Sequence, residues 1–506
     1  MPVPVEREVK LAAPESFALP AMRGIGGLHD GPVEHLDLDA VYFDTADLAL
    51  ARAGVTLRHR TGESGPPWTL KLPSGHNGAT IIRHELRFDG AAHAIPAEVR
   101  DVLRGYLRAR DLRPIARLHT DRTSVPLFDD RGALAATVVD DRVTAFDGDR
   151  RTTTFHEVEF ELADGLRGAR RLQKEAVARL VAAGCRAEPA QPKVVRVVGD
   201  AARAPAELAP PRLAQKPALG ELIRFVFTVS AERMIRADPG VRLGEDPEEV
   251  HQFRVAARTL RSDLKTFGPA LEPEWASRLR AELGWLGGEV GRVRDLDVLG
   301  ERLQGRLARL APDDAATGKV LLERAARQRA AARAAMLDAL RSERYLALLG
   351  VVVAAAHAPA FRTGDSAPGE QQRARPVVRR AARRQLRRLD AAVDHLGAAP
   401  SDADLHRIRI QAKRTRYAMD AARPVVGRPA ATHAAAIAKL QDVLGDLHDA
   451  VVAEQWLREA AGEQPECAVV AGELVAAERA EQTRLRGKWR GTWKAAAKRK
   501  LASWLH

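Results

Sequence analysis

Two patterns of hydrophobic and polar residues divide the chain. In residues 1–200, short runs alternate between apolar and polar positions and are separated by turns rich in Gly and Pro, which is typical of β-strands. The runs are VEREVKL, HLDLDAVYFDT, VTLRHR, WTLKL, IIRHELRF, LAATVVDDRVTAF, FHEVEFEL and KVVRVV. Residues 96–113 and 167–184 have helical spacing instead. The first part is therefore predicted to be mainly β.

From residue 218 to the end, the pattern is long, helical and rich in Ala, Leu and Arg, with breaks near 310–318 and 359–376. The stretch ARAPAELAPPRLAQKP has no periodicity and indicates a linker. The prediction is an α+β multidomain protein, with a β domain over 1–200, a linker over 201–217 and a helical domain over 218–506.

The helical part contains an internal repeat. His251, Arg254 and Arg258 correspond to residues 155 positions later, and LGGEVGRVRDLDV (286–298) corresponds to LQDVLGDLHDAVV (440–452) at an offset of 154. Two motifs in the same order at nearly the same offset indicate a duplication. Two helical halves, each a four-helix bundle, are predicted.

Charge is distributed unevenly along the chain. Residues 1–200 hold 28 Lys and Arg against 29 Asp and Glu, whereas the remainder holds 52 against 38, so the net charge of +13 comes from the helical part. This asymmetry indicates a polyanionic partner for that part: nucleic acid, an anionic membrane or polyphosphate.

Cysteine content and apolar runs limit the class of protein. Only Cys185 and Cys467 occur, so neither a disulfide framework nor a cysteine-based zinc site is expected. The N-terminus lacks a signal-type apolar run, and the longest apolar stretch, 346–361, contains His357 and Pro359 and is too short to span a bilayer. A cytoplasmic protein without a transmembrane segment is expected.

A basic stripe occurs once in each half of the repeat. The first stripe is His251, Arg254, Arg258, Arg261 and Lys265, and the second is His406, Arg409, Lys413 and Arg416. Steps of three and four residues place each stripe along one helix face, and apolar residues between them form the opposite face. Because like charges repel, two such stripes lining a shared groove indicate an anion-binding site rather than a solvated surface.

The predicted strands carry charges on one face. Glu6, Glu8 and Lys10 share a face in EREVK, and the opposite face is largely apolar. The other charged faces hold Arg58, Arg60, Lys71, Arg83, Glu85, Glu157, Glu159 and Glu161. Charged faces can be solvated or can line a closed barrel. Carboxylates gathered in a barrel could hold a hard divalent cation, and the cations could hold phosphate oxygens.

The helical motifs VHQFRVAARTLRSDLKTF, GRVRDLDV, LHRIRIQAKRTRYAMD and LQDVLGDLHDA resemble those of the CHAD family, the conserved histidine α-helical domain, over about 218–506. The resemblance implies two four-helix bundles around a basic pore that binds inorganic polyphosphate. The implied contacts are His251, Arg254, Arg258, Arg261, Lys265, His406, Arg409, Lys413, Arg414 and Arg416. Asp295 and Asp449 would orient or pair with these cations. Asp420 stands where Lys265 stands in the first stripe, so the halves differ there.

The N-terminal motifs EREVKL, YFDT, AGVTLRHR, WTLKLP, RHE, VVDD, HEVEFEL and PKVVR resemble, in this order, the CYTH family of triphosphate tunnel metalloenzymes. The resemblance implies an eight-stranded antiparallel barrel acting on triphosphates with Mg²⁺ or Mn²⁺. The implied metal-site residues are Glu6, Glu8, Glu159, Glu161, Glu157 and Asp140. The implied triphosphate-binding residues are Lys10, Arg58, Arg60, Lys71, Arg83, Arg122 and Lys193. The implied catalytic residues are Glu6, Glu8, Lys10 and Glu85.

Two positions depart from the CYTH pattern or leave it open. Arg87 follows Glu85 at i+2, where a further acid is expected. Asp141 follows Asp140, so alternation leaves open which of the two faces inward.

The order of the two domains resembles bacterial inorganic triphosphatases. It implies hydrolysis of tripolyphosphate to pyrophosphate and phosphate, with polyphosphate bound by the helical domain and association with polyphosphate granules. A tunnel enzyme of adenylate cyclase or thiamine triphosphatase type and a non-catalytic polyphosphate-binding protein remain alternatives. Trp68 is the only tryptophan in 1–200, and no aromatic cluster there clearly stacks an adenine. Nucleic acid is disfavoured as a partner because aromatic content is only 5%.

Overall fold

The computed structural model describes residues 5–77, 80–147, 149–163, 166, 168–187, 191–363 and 369–506, with side chains from residue 7 onward except those of 74–81. The chain divides into two compact units, Met1–Glu207 and Leu208–His506. The predicted linker, 201–217, includes this boundary. Glu207 accepts hydrogen bonds from Arg108 (2.6 Å) and Arg110 (2.7 Å), so the start of the linker is held by the first unit.

The described part of the first unit is built on ten antiparallel strands. They are β1 (Val5–Ala12), β2 (His29–Asp30), β3 (Glu34–Asp44), β4 (Thr56–Thr61), β5 (Trp68–Asn77), β6 (Thr80–Phe88), β7 (Arg113–Phe128), β8 (Leu134–Asp147), β9 (Arg150–Leu162) and β10 (Arg186–Ala187). Eight of them close into a barrel in the order β1-β6-β5-β4-β3-β7-β8-β9, with β9 pairing again with β1. The short strands β2 and β10 pair with β7 and β1. The predicted eight-stranded antiparallel barrel is confirmed.

In the described residues of the first unit, six α-helices accompany the barrel. They are α1 (Ala49–Arg52), α2 (Ala97–Val102), α3 (Arg104–Leu107), α4 (Ala169–Ala182), α5 (Lys193–Val198) and α6 (Asp200–Arg203). Outward-facing residues of β1 and β9, such as Leu11 and Phe160, pack with Leu172 and Leu180 of α4. Because the apolar core lies outside the barrel, the alternate positions of the same strands are left to face the lumen.

One run predicted as a strand is a helix. KVVRVV forms α5, which begins after Pro192 and ends at Gly199, where φ is 79°. A short apolar run is ambiguous between strand and helix, and here tertiary packing decides. Val194 and Val195 pack against barrel residues including Leu118. The eighth barrel strand is instead β7, which was not among the predicted strands.

The second unit is helical. Its helices are α7 (Leu219–Leu243), α8 (Pro247–Thr266), α9 (Pro273–Leu307), α10 (Pro312–Thr317), α11 (Lys319–Arg341), α12 (Glu343–His357), α13 (Ala374–Asp394), α14 (Asp402–Val426), α15 (Arg428–Glu463), α16 (Ala468–Ala496) and α17 (Arg499–Ala502). The repeat predicted from the motifs is visible in the helices. Helix α8 corresponds to α14, and α9, with 35 residues, corresponds to α15, with 36.

The C-terminal segment, residues 484–506, is rich in Lys and Arg and belongs to the helical unit. Trp489 and Trp493 are buried on α16, and the buried Trp504 lies edge-on to His433 of α15. Its tryptophans therefore pack inside the unit.

A glycine after β4 provides a stability test. Gly62 has φ of +92°, and a Cβ there would lie 1.8 Å from the Asp37 carbonyl oxygen. Gly62→Ala is expected to lower the free energy of unfolding by about 3 kcal/mol, through backbone strain plus this clash. Gly24→Ala, at φ of +82° with open space around it, is expected to lose about 1 kcal/mol from the strain alone. Urea denaturation of the full chain measures both values, and equal losses would contradict the steric explanation.

Candidate active site and basic groove

The pairing of β1 with β9 brings acids and a lysine together in the barrel lumen. Glu8 lies directly opposite Glu161, and Lys10 lies opposite Glu159. Like charges facing each other across two strands destabilise a sheet unless they are compensated. Glu8, Glu159 and Glu161 each place a carboxylate oxygen within 4.8 Å of the others. This arrangement matches the expectation of an acidic cluster built from EREVK and HEVEFEL.

Two buried lysines compensate the acids in the lumen. The Lys10 ammonium donates a short hydrogen bond to Glu159 and lies 3.5 Å from both Glu8 and Glu157. Lys193, the first residue of α5, lies 2.8 Å from Glu159 and 2.6 Å from Glu157. The helix that replaced a predicted strand therefore positions one of the predicted phosphate-binding residues.

The structure decides between the two adjacent aspartates. Asp141 is fully buried in the lumen, where it pairs with Arg122 (2.7 Å) and Lys193 (2.9 Å). Asp140 points to the other side of β8 and forms a short hydrogen bond with His156. Asp140, predicted for the metal site, therefore lies outside the lumen and Asp141 faces it, because successive residues of a strand face opposite sides.

Strands β4, β5 and β6 supply the cationic wall. Lys71 pairs with Glu85 (3.0 Å), opposite which it lies in the strand register, and Arg87 pairs with the same carboxylate (2.9 Å). Arg83 of β6 donates a short hydrogen bond to Glu8. Arg58 donates to the Tyr42 hydroxyl at 3.4 Å. These contacts join the cations to the acidic wall and to each other.

A cavity of about 120 Å³ occupies the lumen. Eight cationic side chains and four carboxylates line it. The cations are Lys10, Arg58, Arg60, Lys71, Arg83, Arg87, Arg122 and Lys193. All seven residues predicted to bind triphosphate are in this set, and Arg87 joins them. Glu6 lies in β1 with its backbone opposite Arg83, but its side chain is outside the described part of the chain.

The charge network keeps the lumen groups ionised. Burial by itself would raise the pKa of Glu159, but Lys10 and Lys193 hold it well below its usual value. Burial would also raise the pKa of Glu8 and of Glu85. The pKa of Glu8 is lowered because Lys10 outweighs burial, and that of Glu85 is lowered because Lys71 does so. The pKa of Lys10 is raised despite burial, mainly by Glu159. At neutral pH the site therefore presents both carboxylates and ammonium groups.

Three lumen residues were not assigned from the sequence. Tyr42 is buried, and its pKa is lowered because Arg58 and Lys193 offset the effect of burial. Glu63 lines the cavity and accepts a 2.7 Å hydrogen bond from Arg60. Arg87 was noted as a departure only. Alternation along β3 places Tyr42 on the lumen face, but Glu63 follows β4 and no strand pattern indicates its position.

In the helical unit, a second cavity of about 290 Å³ is lined by residues from α8, α9, α14 and α15. We call this cavity the basic groove. Its charged and histidine lining is His251, Arg254, Arg258, Arg294, Asp295, Arg302, Arg409, Lys413, His448 and Asp449. The two basic stripes therefore meet in one groove, as the duplication predicts. Arg294, Arg302 and His448 were not assigned from the sequence.

In each half of the repeat, a glycine lies against the equivalent arginine. A Cβ at Gly291 would lie 3.7 Å from Arg254 Nε, and a Cβ at Gly445 would lie 3.7 Å from Arg409 Nε. Asp295 accepts a 2.9 Å hydrogen bond from Arg254, as expected for an orienting carboxylate. The repeated glycine in the sequence thus marks where each arginine lies against the neighbouring helix.

Half of the predicted polyphosphate contacts lie outside the groove lining. Arg416 stacks at 5.0 Å on Tyr417 and pairs with Asp420 at 3.5 Å. His406 contacts the His448 ring at 4.5 Å, and so lies next to the groove. The other three are Arg261, Lys265 and Arg414, of which Arg261 and Arg414 are exposed.

The groove contains a lysine whose charge is destabilised. Burial and the neighbouring Arg409, Arg258 and Arg254 lower the pKa of Lys413 to about 7. Burial and the adjacent Arg409 likewise lower the pKa of His448 to about 4. Cations gathered without enough carboxylates create an electrostatic cost that a bound anion would relieve.

Comparison with known proteins identifies the two units. The CYTH domain model matches residues 5–180, and the CHAD domain model matches residues 227–458. Two uncharacterized proteins of Mycobacterium tuberculosis, from strains CDC 1551 / Oshkosh and H37Rv, are 34% identical over 474 residues, covering 90% of this chain and 88% of each relative. The chain belongs to the family of proteins that join a CYTH domain to a CHAD domain.

Solved structures also show similarity. PptA from Streptomyces chartreusis is 24% identical with a TM-score of 0.46, covering 55% of this chain and 99% of its own. The CHAD domain from the plant Ricinus communis is 28% identical with a TM-score of 0.46, covering 57% of this chain and 95% of its own.

The matched domains define the class of protein. A CYTH domain is a triphosphate tunnel of hydrolase or cyclase type, and enzymes of this class generally depend on a divalent metal. Among the described residues, no helix has both the length and the apolar character needed to cross a bilayer.

Proposed function

We propose that the barrel hydrolyses inorganic triphosphate to pyrophosphate and phosphate with Mg²⁺ or Mn²⁺, and that the basic groove binds inorganic polyphosphate. The main support is the composition of the lumen cavity. Its eight cations suit a chain of phosphates, and the acidic cluster beside them suits a hard cation.

The cavity favours an inorganic substrate over a nucleotide. Its volume of about 120 Å³ is below the roughly 300–1,000 Å³ typical of pockets for organic ligands. Tyr42 is the one aromatic residue in its described lining. Trp68 is buried elsewhere, 5.0 Å from the ring of Phe43 and 5.2 Å from His59. Its lining therefore offers little for stacking an adenine or a thiamine ring.

The residues present fit a divalent cation. Glu8, Glu159 and Glu161 offer three converging carboxylate oxygens, whereas the carboxylates of a second group, Asp141, Glu157 and Glu159, surround the Lys193 ammonium at 2.9, 2.6 and 2.8 Å. When bound, the cation would neutralise phosphate charge and increase the acidity of water. Glu6 stays a candidate ligand from the sequence pattern.

The ion pairs of the lumen suggest how substrate is accommodated. Lys71, Arg83 and Lys193 each pair with a carboxylate in the structure described. Phosphate oxygens can replace these carboxylates as acceptors, which releases the carboxylates to serve as metal ligands. We propose that Lys10 and Arg122 stabilise the charge that develops during phosphoryl transfer, and that Glu85 orients Lys71. No nucleophilic side chain is needed, because water is the attacking group.

Two adjacent aspartates test the assignment of the lumen. Asp141→Asn is expected to lower the rate of phosphate release from tripolyphosphate by about 10–100-fold, because Arg122 and Lys193 lose the carboxylate that positions them. Asp140→Asn, one residue away on the outer side of β8, removes the same charge and should leave the rate within about twofold of wild type. Initial rates with Mg²⁺ measure both. Equal losses in the two variants would contradict the proposed site.

The groove supports the second part of the proposal. Two repeated arginines, Arg254 and Arg409, face one cavity together with Arg258 and Lys413, and the lowered pKa of Lys413 reports an excess of positive charge there. Polyphosphate is favoured over single-stranded nucleic acid because no aromatic side chain belongs to the described lining apart from His251 and His448.

A further inference from the structure

Helix α13 carries a dense set of arginines. Arg375, Arg380, Arg384, Arg387 and Arg388 are exposed, and we call these five the arginine face. Arg379 and Arg383 lie beside them, half-buried, on the same helix. Spacings of four and five residues place the arginines in two adjacent stripes, so the exposed side of α13 is continuously basic.

The arginines of α13 lack acidic partners. In the described part of the chain, none of the seven forms an ion pair, a side-chain hydrogen bond or a ring contact. The Nε atoms of Arg379 and Arg383 are buried without a hydrogen-bond acceptor. About half of the other arginines in the unit form an ion pair in the described structure, as Arg302 does with Glu478 at 2.8 Å and Arg344 does with Glu282 at 2.7 Å. The two carboxylates of α13, Asp390 and Asp394, lie at its C-terminal end and form no ion pair with these arginines in the described structure, so an external anion would offset the charge of the face.

The rest of α13 narrows the choice of partner. Its apolar side, including Val378, Ala382 and Leu389, is buried in the helical unit, so it has no free apolar face to insert into a membrane interface. The helix contains no aromatic residue, so it lacks the aromatic platform on which proteins that bind single strands usually stack unpaired bases. A flexible chain of phosphates needs only cations at close spacing, which is what the face offers.

The arginine face is connected to the basic groove by further cations. Helix α8 runs from Arg254 and Arg258 in the groove to Lys265, about 16 Å from Arg254 at 1.5 Å per residue. Burial lowers the pKa of Lys265, and so do the nearby Arg414, Arg280 and Arg388. Arg388 belongs to α13, so the row of positive charge continues from the groove onto the arginine face.

We infer that the arginine face of α13 is a second binding surface for inorganic polyphosphate, continuous with the basic groove, which long chains reach and short chains do not. The inference rests on the proposed binding of polyphosphate by the groove. From Arg375 to Arg388 the face extends about 20 Å at 1.5 Å per residue. A long chain gains these contacts after the groove is filled, so affinity increases with chain length.

The test compares a short oligophosphate with long-chain polyphosphate. One variant carries Arg380→Gln, Arg384→Gln, Arg387→Gln and Arg388→Gln. A control variant carries Lys494→Gln, Lys498→Gln, Arg499→Gln and Lys500→Gln, four exposed cations with no ion pair in the described structure. Both variants lose four positive charges. Dissociation constants of the full chain are measured in EDTA, which prevents metal-dependent hydrolysis, at several salt concentrations.

The expected result is specific to α13. Its variant should bind long chains at least ~10-fold more weakly, with a shallower salt dependence, and should bind the short chain within about twofold of wild type. The control variant should bind both as wild type does. Equal weakening by the two variants, or unchanged long-chain binding by the α13 variant, would overturn the inference. The inference would also be overturned if the α13 variant lost only its binding to duplex DNA or to anionic vesicles. If wild type binds neither chain, the proposed function fails first.

Discussion

Glu8→Gln is expected to lower the rate of tripolyphosphate hydrolysis by at least ~100-fold. Glu8 is 1% exposed, lies opposite Glu161 and shares a cluster of carboxylate oxygens with Glu159. Glutamine keeps the size and one acceptor oxygen but removes the negative charge that a divalent cation requires. Changes beyond the ligands themselves already cost about 10–100-fold at metal sites, so loss of a ligand should cost at least as much. The measurement is the initial rate of phosphate release as a function of Mg²⁺ concentration.

The control for Glu8 is Glu98→Gln. Glu98 is exposed on α2. Glu98→Gln removes the same charge from the surface, so the rate of this variant should match wild type. Thermal unfolding of both variants separates loss of fold from loss of chemistry. If Glu8→Gln is folded and hydrolyses tripolyphosphate at the wild-type rate, Glu8 does not belong to the metal site.

Polyphosphate binding is expected to weaken as pH rises from 7 to 9, and Lys413→Arg is expected to remove this dependence. The pKa of Lys413 is about 7 without ligand because of burial and of Arg409, Arg258 and Arg254. A bound polyanion stabilises the ammonium form, so binding takes up a proton above pH 7. Affinity should then fall by at least ~10-fold between pH 7 and pH 9. Arginine stays protonated, so its variant should bind almost equally across this range.

The direction of the pH effect follows from the preference of polyphosphate for the protonated form of Lys413. Below pH 7 Lys413 is already protonated, so a further decrease in pH raises the affinity for polyphosphate only slightly. Above pH 7, each unit of pH lowers the affinity by up to tenfold. Burial and nearby cations also lower the pKa values of His251 and His406, and they lower the pKa of His448 to about 4. Calorimetry in buffers of different ionisation enthalpy counts the protons. Equal pH dependence of wild type and Lys413→Arg would contradict a role for Lys413 in the groove.

Alternation in the sequence predicted the barrel well because its two faces have different chemistry. Along β1 and β9 the apolar side packs outside and the charged side lines the lumen, so Glu8, Lys10 and Glu159 could be placed by counting in twos. Counting fails where two acids are adjacent, as at Asp140 and Asp141. It also fails for KVVRVV, because a short valine-rich run satisfies both helix and strand patterns and packing decides.

The groove was harder to predict residue by residue. The duplication indicated that two basic stripes share one function, and His251, Arg254, Arg258, Arg409 and Lys413 do line the same cavity. A stripe in the sequence does not show, however, which of its residues face the neighbouring helices that complete the groove. The remaining stripe residues therefore lie outside the lining, and Arg416 pairs with an aspartate of its own helix. Contributions from α9 and α15 depend on tertiary packing, which local periodicity does not contain.

The most direct test of the central claim is the initial rate of orthophosphate release from tripolyphosphate and from ATP, at equal concentration with Mg²⁺, with the products identified by ³¹P NMR. We expect release from tripolyphosphate at least ~10-fold faster than from ATP, one pyrophosphate per orthophosphate, and no release in EDTA, because the cavity offers phosphate and metal contacts but little to hold an organic ring. Preferential conversion of ATP, or no turnover of tripolyphosphate by folded protein, would contradict it.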